Sequence, residues 1–254
     1  MKLRKGILRK KRGKVMAVDL QKVVIELRKL LILFLCIAMV QICPVQARTE
    51  KLVALTFDDG PSGRYTRNLL DGLLERGVKA TFLLCGYRME QYPELTSRIH
   101  REGHEIGLHG YSHKSMKNMC SNDVIREIER AMSLVPEDCE ISFLRSPGGA
   151  CGPCVYAAAA NFGLSVLSWS VDPKDWATHD AAVIEREVIT HVRDGDVILL
   201  HDMSDSSVEA ALVIIDELQE QGFRFVTVSE LAQAKGIDII AGKEYAKFYV
   251  SDPS

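Results

Sequence analysis

The 254-residue chain lacks internal repeats and low-complexity tracts, and nothing in its pattern marks a second globular domain. These absences exclude a repeat array and favour one large domain preceded by an N-terminal extension. Positive charge is also scarce after residue 47, where 21 Lys and Arg stand against 32 Asp and Glu, a formal charge of −11. So acidic a segment argues against a nucleic acid as the binding partner.

The first 47 residues have the opposite balance, a formal charge of +9, and one apolar run, Leu30–Val40, of 11 residues. A membrane-spanning helix needs about 20 such residues, so this run matches the core of a signal peptide better. Val45–Ala47 offers a small-residue cleavage site, and an uncleaved anchor with its basic end in the cytoplasm is the alternative. We therefore expect residues 1–47 to be a signal peptide or an N-terminal membrane anchor. The remainder would be exported, either secreted or anchored on the outer face of the cell membrane, with membrane contact only through this segment.

Five cysteines follow residue 47, an odd number that leaves at least one thiol unpaired or paired between chains. Two of them form Cys151-Gly152-Pro153-Cys154, which has the spacing of a thioredoxin-type redox motif ahead of a predicted helix. The surrounding pattern is not that of thioredoxin, so we favour a loop-restraining disulfide. Two unpaired thiols, adventitious metal binding and a thiol oxidoreductase function are the alternatives.

Two adjacent carboxylates follow a short apolar strand. Val53, Leu55 and Phe57 alternate as in a buried strand, and Asp58 and Asp59 come where that strand meets a Gly-Pro turn. At such a turn both side chains can face one cleft, where their like charges repel unless a cation lies between them. A metal ligand beside a general base satisfies this condition, and a solvated turn rich in Asp and Gly is the alternative.

Two histidines, His109 and His113, follow a second short strand with i, i+4 spacing, which on a helical turn places both side chains on one face. With Asp59 they make a set of two imidazoles and one carboxylate, typical of a catalytic zinc site with an open position for water. Non-haem iron uses the same donors, so the set does not define the metal. Two surface histidines are the alternative.

With three further segments, these motifs resemble the polysaccharide deacetylases, the NodB-homology carbohydrate esterases that act on chitin, peptidoglycan and acetylxylan. The resemblance covers about residues 51–234 and rests on five motifs in order. They are Thr56-Phe57-Asp58-Asp59-Gly60, His109–His113, Arg145-Ser146-Pro147-Gly148-Gly149, Asp172-Pro173-Lys174-Asp175-Trp176 and Leu199-Leu200-His201.

The resemblance implies a role for each site residue. His201 would be the general acid, oriented by Asp175, while Arg145 would keep the general base Asp58 ionised. Trp176 and Leu199 would form apolar walls of the acetyl pocket. Each also has an ordinary structural interpretation: Trp176 as a core aromatic, Arg145 as a surface ion pair and His201 as a satisfied core histidine.

The third motif departs from the family pattern. An aromatic residue usually follows the proline, and its backbone N–H helps to stabilise the oxyanion, whereas this chain has Gly148. Glycine keeps the N–H, so the oxyanion donor can survive, but the aromatic wall is lost and the loop gains freedom. A smaller departure is Gly110, where the family commonly has a hydroxyl residue.

The leading hypothesis is therefore a metal-dependent deacetylase acting on an N-acetylated glycan such as peptidoglycan or chitin. A divalent metal, zinc or alternatively cobalt, manganese or nickel, would polarise the acetyl carbonyl and a water. Asp58 would take the proton of that water, the metal and the Gly148 N–H would stabilise the oxyanion, and His201 would protonate the departing amine. A catalytically silent glycan-binding module and an acetyl-ester (xylan) deacetylase are alternatives, and the sugar and the oligomeric state stay open.

Strand-like runs alternate with amphipathic stretches, which predicts parallel strands joined by right-handed crossovers. About seven such units indicate a distorted, incomplete seven-stranded (β/α) barrel, the fold that the resemblance also implies. The predicted strands are 52–57, 80–84, 105–108, 142–145, 165–168, 197–200 and 224–226, and the helices 65–76, 93–102, 122–134, 155–162, 181–193 and 208–221. The catalytic domain would span residues 48–234, with residues 235–254 as a short C-terminal tail.

Overall fold

A computed structural model describes residues 20–41 and 50–249, and the chain divides into two compact units, residues 1–48 and 49–254. In the first unit, α1 spans Leu20–Gln41, and its described side chains, residues 21–32, are exposed. Among the described residues, no helix combines the length and the hydropathy needed to span a membrane. The predicted cleavage site at Val45–Ala47 lies outside the described residues.

The second unit is built on one all-parallel sheet of eight strands. The strands are β1 Lys51–Asp58, β2 Thr81–Leu84, β3 Glu105–Leu108, β4 Phe143–Leu144, β5 Ser165–Leu167, β6 Val197–His201, β7 Phe223–Val226 and β8 Glu244–Tyr245. Their order is β6-β1-β2-β3-β4-β5-β8, and β7 pairs with the first half of β1 while β6 pairs with its second half. The strands β1–β7 form an incomplete barrel, which confirms the predicted fold class.

Eight helices of the second unit are described, and most connect one strand to the next. They are α2 Gly63–Glu75, α3 Gly86–Gln91, α4 Pro93–Arg101, α5 Ser121–Met132, α6 Pro153–Asn161, α7 Ala181–His191, α8 Asp205–Glu220 and α9 Val228–Ala234. Their apolar residues recur every three or four positions, as Val124, Ile128 and Ala131 do on α5, so each helix buries one face. Fully burying one such aliphatic side chain stabilises the fold by about 1.5–3 kcal/mol.

The alternation of side chains along β1 explains where the chemistry lies. Val53, Leu55 and Phe57 belong to the large apolar cluster that also contains the helix faces. Leu52 and Ala54 belong to a second cluster, on the opposite face of the sheet. Because side chains alternate along a strand, Asp58 continues the face of Leu52 and Ala54, which is the inside of the barrel.

The segment from residue 235, predicted as a short C-terminal tail, packs onto the barrel over its described part. β8 adds to the sheet beside β5, and Phe248 is fully buried. The Tyr245 and Phe248 rings stack with centroids 5.6 Å apart. The two residues of β8 lie in a segment without a strand-length run of apolar residues, so the sequence pattern does not predict a strand there.

Candidate active site

Asp58 meets a buried guanidinium at the end of β1. Its Oδ1 accepts a 2.6 Å hydrogen bond from Arg145 Nη1, which also donates to Thr56 Oγ1 at 2.9 Å. The other guanidinium nitrogens donate to the carbonyls of Leu167 at 3.2 Å and Ser168 at 2.8 Å. Arg145 is fully buried, so its predicted alternative as a surface ion pair is wrong. A buried guanidinium with this many acceptors places a fixed positive charge against the Asp58 carboxylate.

The three predicted metal ligands come together beside Asp58. Asp59 has a left-handed backbone with φ 72°, which aspartate tolerates better than most residues, and its carboxylate faces the same pocket as Asp58. Asp59 Oδ1 lies 2.9 Å from His113 Nε2 and 3.3 Å from His109 Nε2. Asp58 and Asp59 therefore share one cleft, as their position at the strand end predicts.

The two histidines do not lie on a helical turn, which corrects the interpretation of their spacing. His109 directly follows β3, and residues 109–113 form an irregular loop. Gly110 with φ 72° and His113 with φ 58° both have left-handed backbones, which reverse the chain. This reversal, rather than helical periodicity, brings both imidazoles to one carboxylate oxygen.

The residues of this cluster fit a metal ion. The three ligand atoms lie within 4.8 Å of one another. The buried Asp59 Oδ1 faces the Nε2 atoms of both His109 and His113, and it has no other hydrogen-bond partner among the described residues. Burial opposes the charge on Asp59, but the His109 and His113 side chains outweigh it and lower the pKa of this carboxyl well below its usual range. An anionic oxygen beside two imidazole nitrogens is a donor set that a divalent cation satisfies.

A second carboxylate–imidazole pair lies across the pocket. His201 ends β6, and the sheet register places it opposite Asp58. Its Nδ1 lies 2.8 Å from Asp175 Oδ1, and its backbone N–H donates to Asp175 Oδ2 at 2.8 Å. Burial disfavours the imidazolium, but Asp175, with help from Asp58 and Asp59, raises the pKa of His201 to about 9. His201 is therefore protonated at neutral pH, with Nδ1 engaged by Asp175.

One pocket of about 400 Å³ is lined by Asp58, by His201 and by the three predicted metal ligands, together with Gly148, Trp176 and Leu199. Leu199 is buried, whereas Trp176 is 66% exposed, so Trp176 is not the core aromatic of the alternative interpretation. Gly148 has φ 69°, and a Cβ added there would meet nothing within 4 Å. Backbone conformation rather than crowding therefore favours glycine here. Its N–H donates to no acceptor among the described residues.

Trp169 lines the same pocket, and sequence reasoning missed it. Its ring lies 5.5 Å from Arg145 Cζ, and a Cβ added at Gly149 would approach Trp169 Cη2 to 2.5 Å. Gly149 therefore leaves room for this indole, and an aromatic side chain faces the pocket although position 148 has none. Its position in the sequence could have identified it, because Trp169 lies two residues after β5, at the carboxyl edge of the sheet where pocket residues are expected.

Sequence reasoning also missed Asp202, which directly follows His201. It is fully buried, accepts a hydrogen bond from Thr66 Oγ1, and through its carbonyl accepts one from Ser62 Oγ. A Cβ added at Gly60 would lie 2.6 Å from Asp202 Oδ1. These contacts hold the loop that follows Asp59 against the end of β6. Burial raises the pKa of Asp202 to about 7.

The Cys151–Cys154 segment does not form the disulfide that the sequence favours. The five cysteines within residues 50–249 are all thiols, and Cys154 Sγ instead lies 3.4 Å from Ser121 Oγ. Burial, with the charge of Glu244, raises the pKa of Cys151. A reactive redox thiol needs the opposite shift, so the geometry does not favour a thioredoxin-like role.

Comparison with known proteins places this geometry in a family. The family model described as polysaccharide deacetylase matches residues 46–167. A peptidoglycan-N-acetylglucosamine deacetylase of Bacillus cereus is 36% identical over 192 residues, which cover 73% of this chain and 90% of that protein. The peptidoglycan-N-acetylglucosamine deacetylase PgdA of Listeria monocytogenes is 34% identical over 202 residues, which cover 79% of this chain. The chain spans only 42% of the length of PgdA.

Solved structures agree with this assignment. A family 4 acetyl xylan esterase from Clostridium thermocellum, in complex with a cobalt ion, superposes with a TM-score of 0.73 at 33% identity. The match covers 78% of this chain and 98% of the esterase. A mutant of a CE4-family pseudoenzyme with restored activity gives a TM-score of 0.68 at 28% identity, covering 72% of this chain and 68% of the pseudoenzyme. The chain belongs to the polysaccharide deacetylase family.

Proposed function

We propose that this protein is a metal-dependent hydrolase that removes acetyl groups from an N-acetylated glycan. The observation that carries the proposal is convergence on one pocket. The Asp59–His109–His113 cluster, the Asp58 carboxylate and the His201 imidazole all line the same 400 Å³ space. They come from the carboxyl ends of different strands, where barrels of this kind place their chemistry.

The resident cation would be held by Asp59, His109 and His113. Two imidazoles and one carboxylate favour zinc, and cobalt, manganese and nickel are alternatives that accept the same donors. When bound, a divalent ion supplies Lewis acidity to the acetyl carbonyl and lowers the pKa of water. The relative solved in complex with a cobalt ion supports a divalent metal as the cofactor.

Asp58 is the proposed general base. Its Oδ1 is held by Arg145 at 2.6 Å, so Oδ2 is the oxygen that can take a proton from the attacking water. The buried charge of Arg145 keeps the carboxylate oriented and compensates part of its desolvation. Asp58 Oδ2 lies 3.7 Å from His109 Nε2, next to the proposed cation site.

His201 is the proposed general acid. Its Nδ1 is engaged by Asp175, so Nε2 is the ring nitrogen that can protonate the departing amine. Because the pKa of His201 is raised to about 9, the imidazolium is present at neutral pH before the substrate binds. Asp175 also accepts the backbone N–H of His201, so it fixes both the ring and the main chain.

The remaining pocket residues orient the acetyl group. The Gly148 N–H, which has no acceptor among the described residues, is the proposed donor to the developing oxyanion. Trp176 and Leu199 are the proposed apolar walls for the acetyl methyl group, and Trp169 supplies an aromatic surface that Gly148 cannot.

We propose peptidoglycan or a chitin-like oligosaccharide as the substrate. Peptidoglycan-N-acetylglucosamine and chitooligosaccharide deacetylases among the relatives support this class. An acetyl ester of xylan is the alternative substrate, supported by the acetyl xylan esterase structure. A wall substrate agrees with an exported protein, in which residues 1–47 form the signal peptide or anchor and residues 48–234 hold the catalytic apparatus.

A catalytically silent glycan-binding module is the second candidate, because one structural relative is described as a pseudoenzyme. The metal-ligand set, Asp58 and the His201–Asp175 pair are all in place here, which favours an active enzyme. Acetate release separates the two candidates.

The test incubates the protein with chitooligosaccharides and with muropeptides, and follows products by mass spectrometry. Loss of one acetyl group per reacting sugar is expected, abolished by a chelator and restored by zinc. Asp58→Asn should retain the metal but lose about 10²–10⁴-fold in turnover, because the base is removed and the ligands are not. Glycan binding without acetate release by the metal-loaded wild-type protein would favour the silent module instead.

A further inference from the structure

The loop between His109 and His113 is held from two sides. Residues 110–112 form neither helix nor strand, so their backbone groups need partners outside the loop. The start of α3 supplies the donors for two carbonyls. The Gly86 N–H donates to the Gly110 carbonyl at 2.9 Å, and the Tyr87 N–H donates to the Tyr111 carbonyl at 3.0 Å.

One carboxylate supplies the acceptors on the other side. Glu127, on α5, accepts the Tyr111 N–H at 2.8 Å and the Ser112 N–H at 2.7 Å through Oε2. Its Oε1 accepts a 2.8 Å hydrogen bond from Ser112 Oγ. Hydrogen bonds to a carboxylate are stronger than neutral ones, and here three of them meet on a single side chain.

We propose that Glu127 is a positioning residue that sets the affinity of the Asp59–His109–His113 site for its metal ion. This inference rests on the proposed metal site. The three hydrogen bonds span the centre of the loop that separates the two imidazoles. They therefore act on the relative placement of both ligands rather than on one of them.

Gly110 lies where the loop backbone approaches the side chains of Glu127 and Met116. A Cβ added at Gly110 would lie 3.2 Å from Glu127 Oε2 and 2.5 Å from Met116 Cε. The left-handed φ of 72° also disfavours a side chain at this position. Glycine at position 110, a departure from the hydroxyl residue expected there, therefore fits the left-handed turn and leaves room for Met116 beside the Glu127 carboxylate.

Loss of the Glu127 carboxylate should weaken the binding of the metal ion. Without Glu127, two N–H groups and one hydroxyl in a half-buried loop lose their acceptor, and each is costly to leave unpaired. The His113 side chain is 41% exposed, so its placement depends strongly on the backbone of this loop. Groups that orient ligands from the outer shell typically change metal affinity by about 10–100-fold.

The first experiment measures zinc affinity of the full chain by competition with a chromophoric chelator. Glu127→Ala should bind zinc about 10–100-fold more weakly than wild type. Glu127→Gln should recover most of the affinity, because its amide oxygen accepts the two N–H groups and its NH₂ group donates to Ser112 Oγ. Glu129→Ala, which removes an exposed carboxylate from the same helix, is the matched control and should bind zinc as wild type does.

The second experiment measures amide hydrogen exchange at Tyr111 and Ser112 in the metal-free protein. Faster exchange in Glu127→Ala than in Glu129→Ala is expected, whatever metal the site prefers. Unchanged exchange, or unchanged zinc affinity in Glu127→Ala, overturns the inference. If Glu127→Ala does not fold, Ser112→Ala removes one of the three hydrogen bonds and should shift both measurements in the same direction by less. A wild-type protein that binds no divalent metal would instead overturn the proposed function, and the exchange experiment would still test the hydrogen bonds.

Discussion

Replacing Asp175 with Asn should move the basic limb of the pH–activity profile to lower pH. In the proposed mechanism His201 acts as an acid and must carry a proton, and Asp175 is the largest favourable contributor to that protonated state. Removing its charge lowers the pKa of His201, so the imidazole loses its proton at a lower pH. The burial that opposes the imidazolium remains in the variant, and this acts in the same direction.

The structure sets the size of this shift. The pKa of His201 is raised from its ordinary value of 6.5 to about 9, a difference of about 2.5 pH units, or about 3 kcal/mol. Asp58 and Asp59 supply part of the favourable contribution, while burial opposes it in wild type and variant alike, so the expected movement of the limb is at least about 1 pH unit. A two-unit shift would reduce the protonated fraction at pH 9 by about 50-fold, while the fraction at pH 5.5 would hardly change.

The assay is kcat/KM for acetate release from a chitooligosaccharide, measured from pH 5 to 11 with the zinc-loaded protein. Asp216→Asn makes the same charge change at a carboxylate on α8 that pairs with Arg76, and it is the matched control. Its profile should superimpose on that of wild type. A basic limb that stays in place in Asp175→Asn, with activity lower by the same factor at every pH, would refute the assignment of that limb to His201.

Three further predictions concern the metal, stability and the cysteines. His109→Ala should lose its divalent metal, and full metal occupancy by elemental analysis would contradict the ligand set. Burial and nearby cations lower the pKa of His104 from 6.5 to about 4. The neutral imidazole therefore contributes fully to the free energy of unfolding above pH 6.5, and this contribution of about 3 kcal/mol is lost as the pH falls toward 4. Between pH 7 and 4.5, the free energy of unfolding measured with urea should fall less in His104→Gln than in wild type. Equal decreases in the two proteins would contradict this. Replacing Cys151 and Cys154 with Ser should leave the metal bound and turnover within about tenfold, about 1.4 kcal/mol, and complete inactivity would show a catalytic role.

Elements with long buried faces were predicted well. The observed β1, Lys51–Asp58, is one residue longer at each end than predicted, and β3, Glu105–Leu108, has the predicted bounds. Short elements were missed, such as α3 with six residues and α9 with seven. Their apolar spacing covers less than two turns, so no period stands out, although the capping box of Thr227 and Glu230 marks the start of α9.

The sequence by itself determined the chemical types of the site residues and their order at strand ends. Parallel strands align their carboxyl edges, so Asp58, His109 and His201 could be placed at one edge from local patterns alone. Local patterns could not predict which side chain contacts each of these residues. The contacts of Glu127 with the His109–His113 loop, of Trp169 with Gly149, and of Cys154 with Ser121 join segments 15 to 33 residues apart or depend on left-handed turns. Such contacts depend on strand register and loop conformation, which the packing of the whole barrel decides.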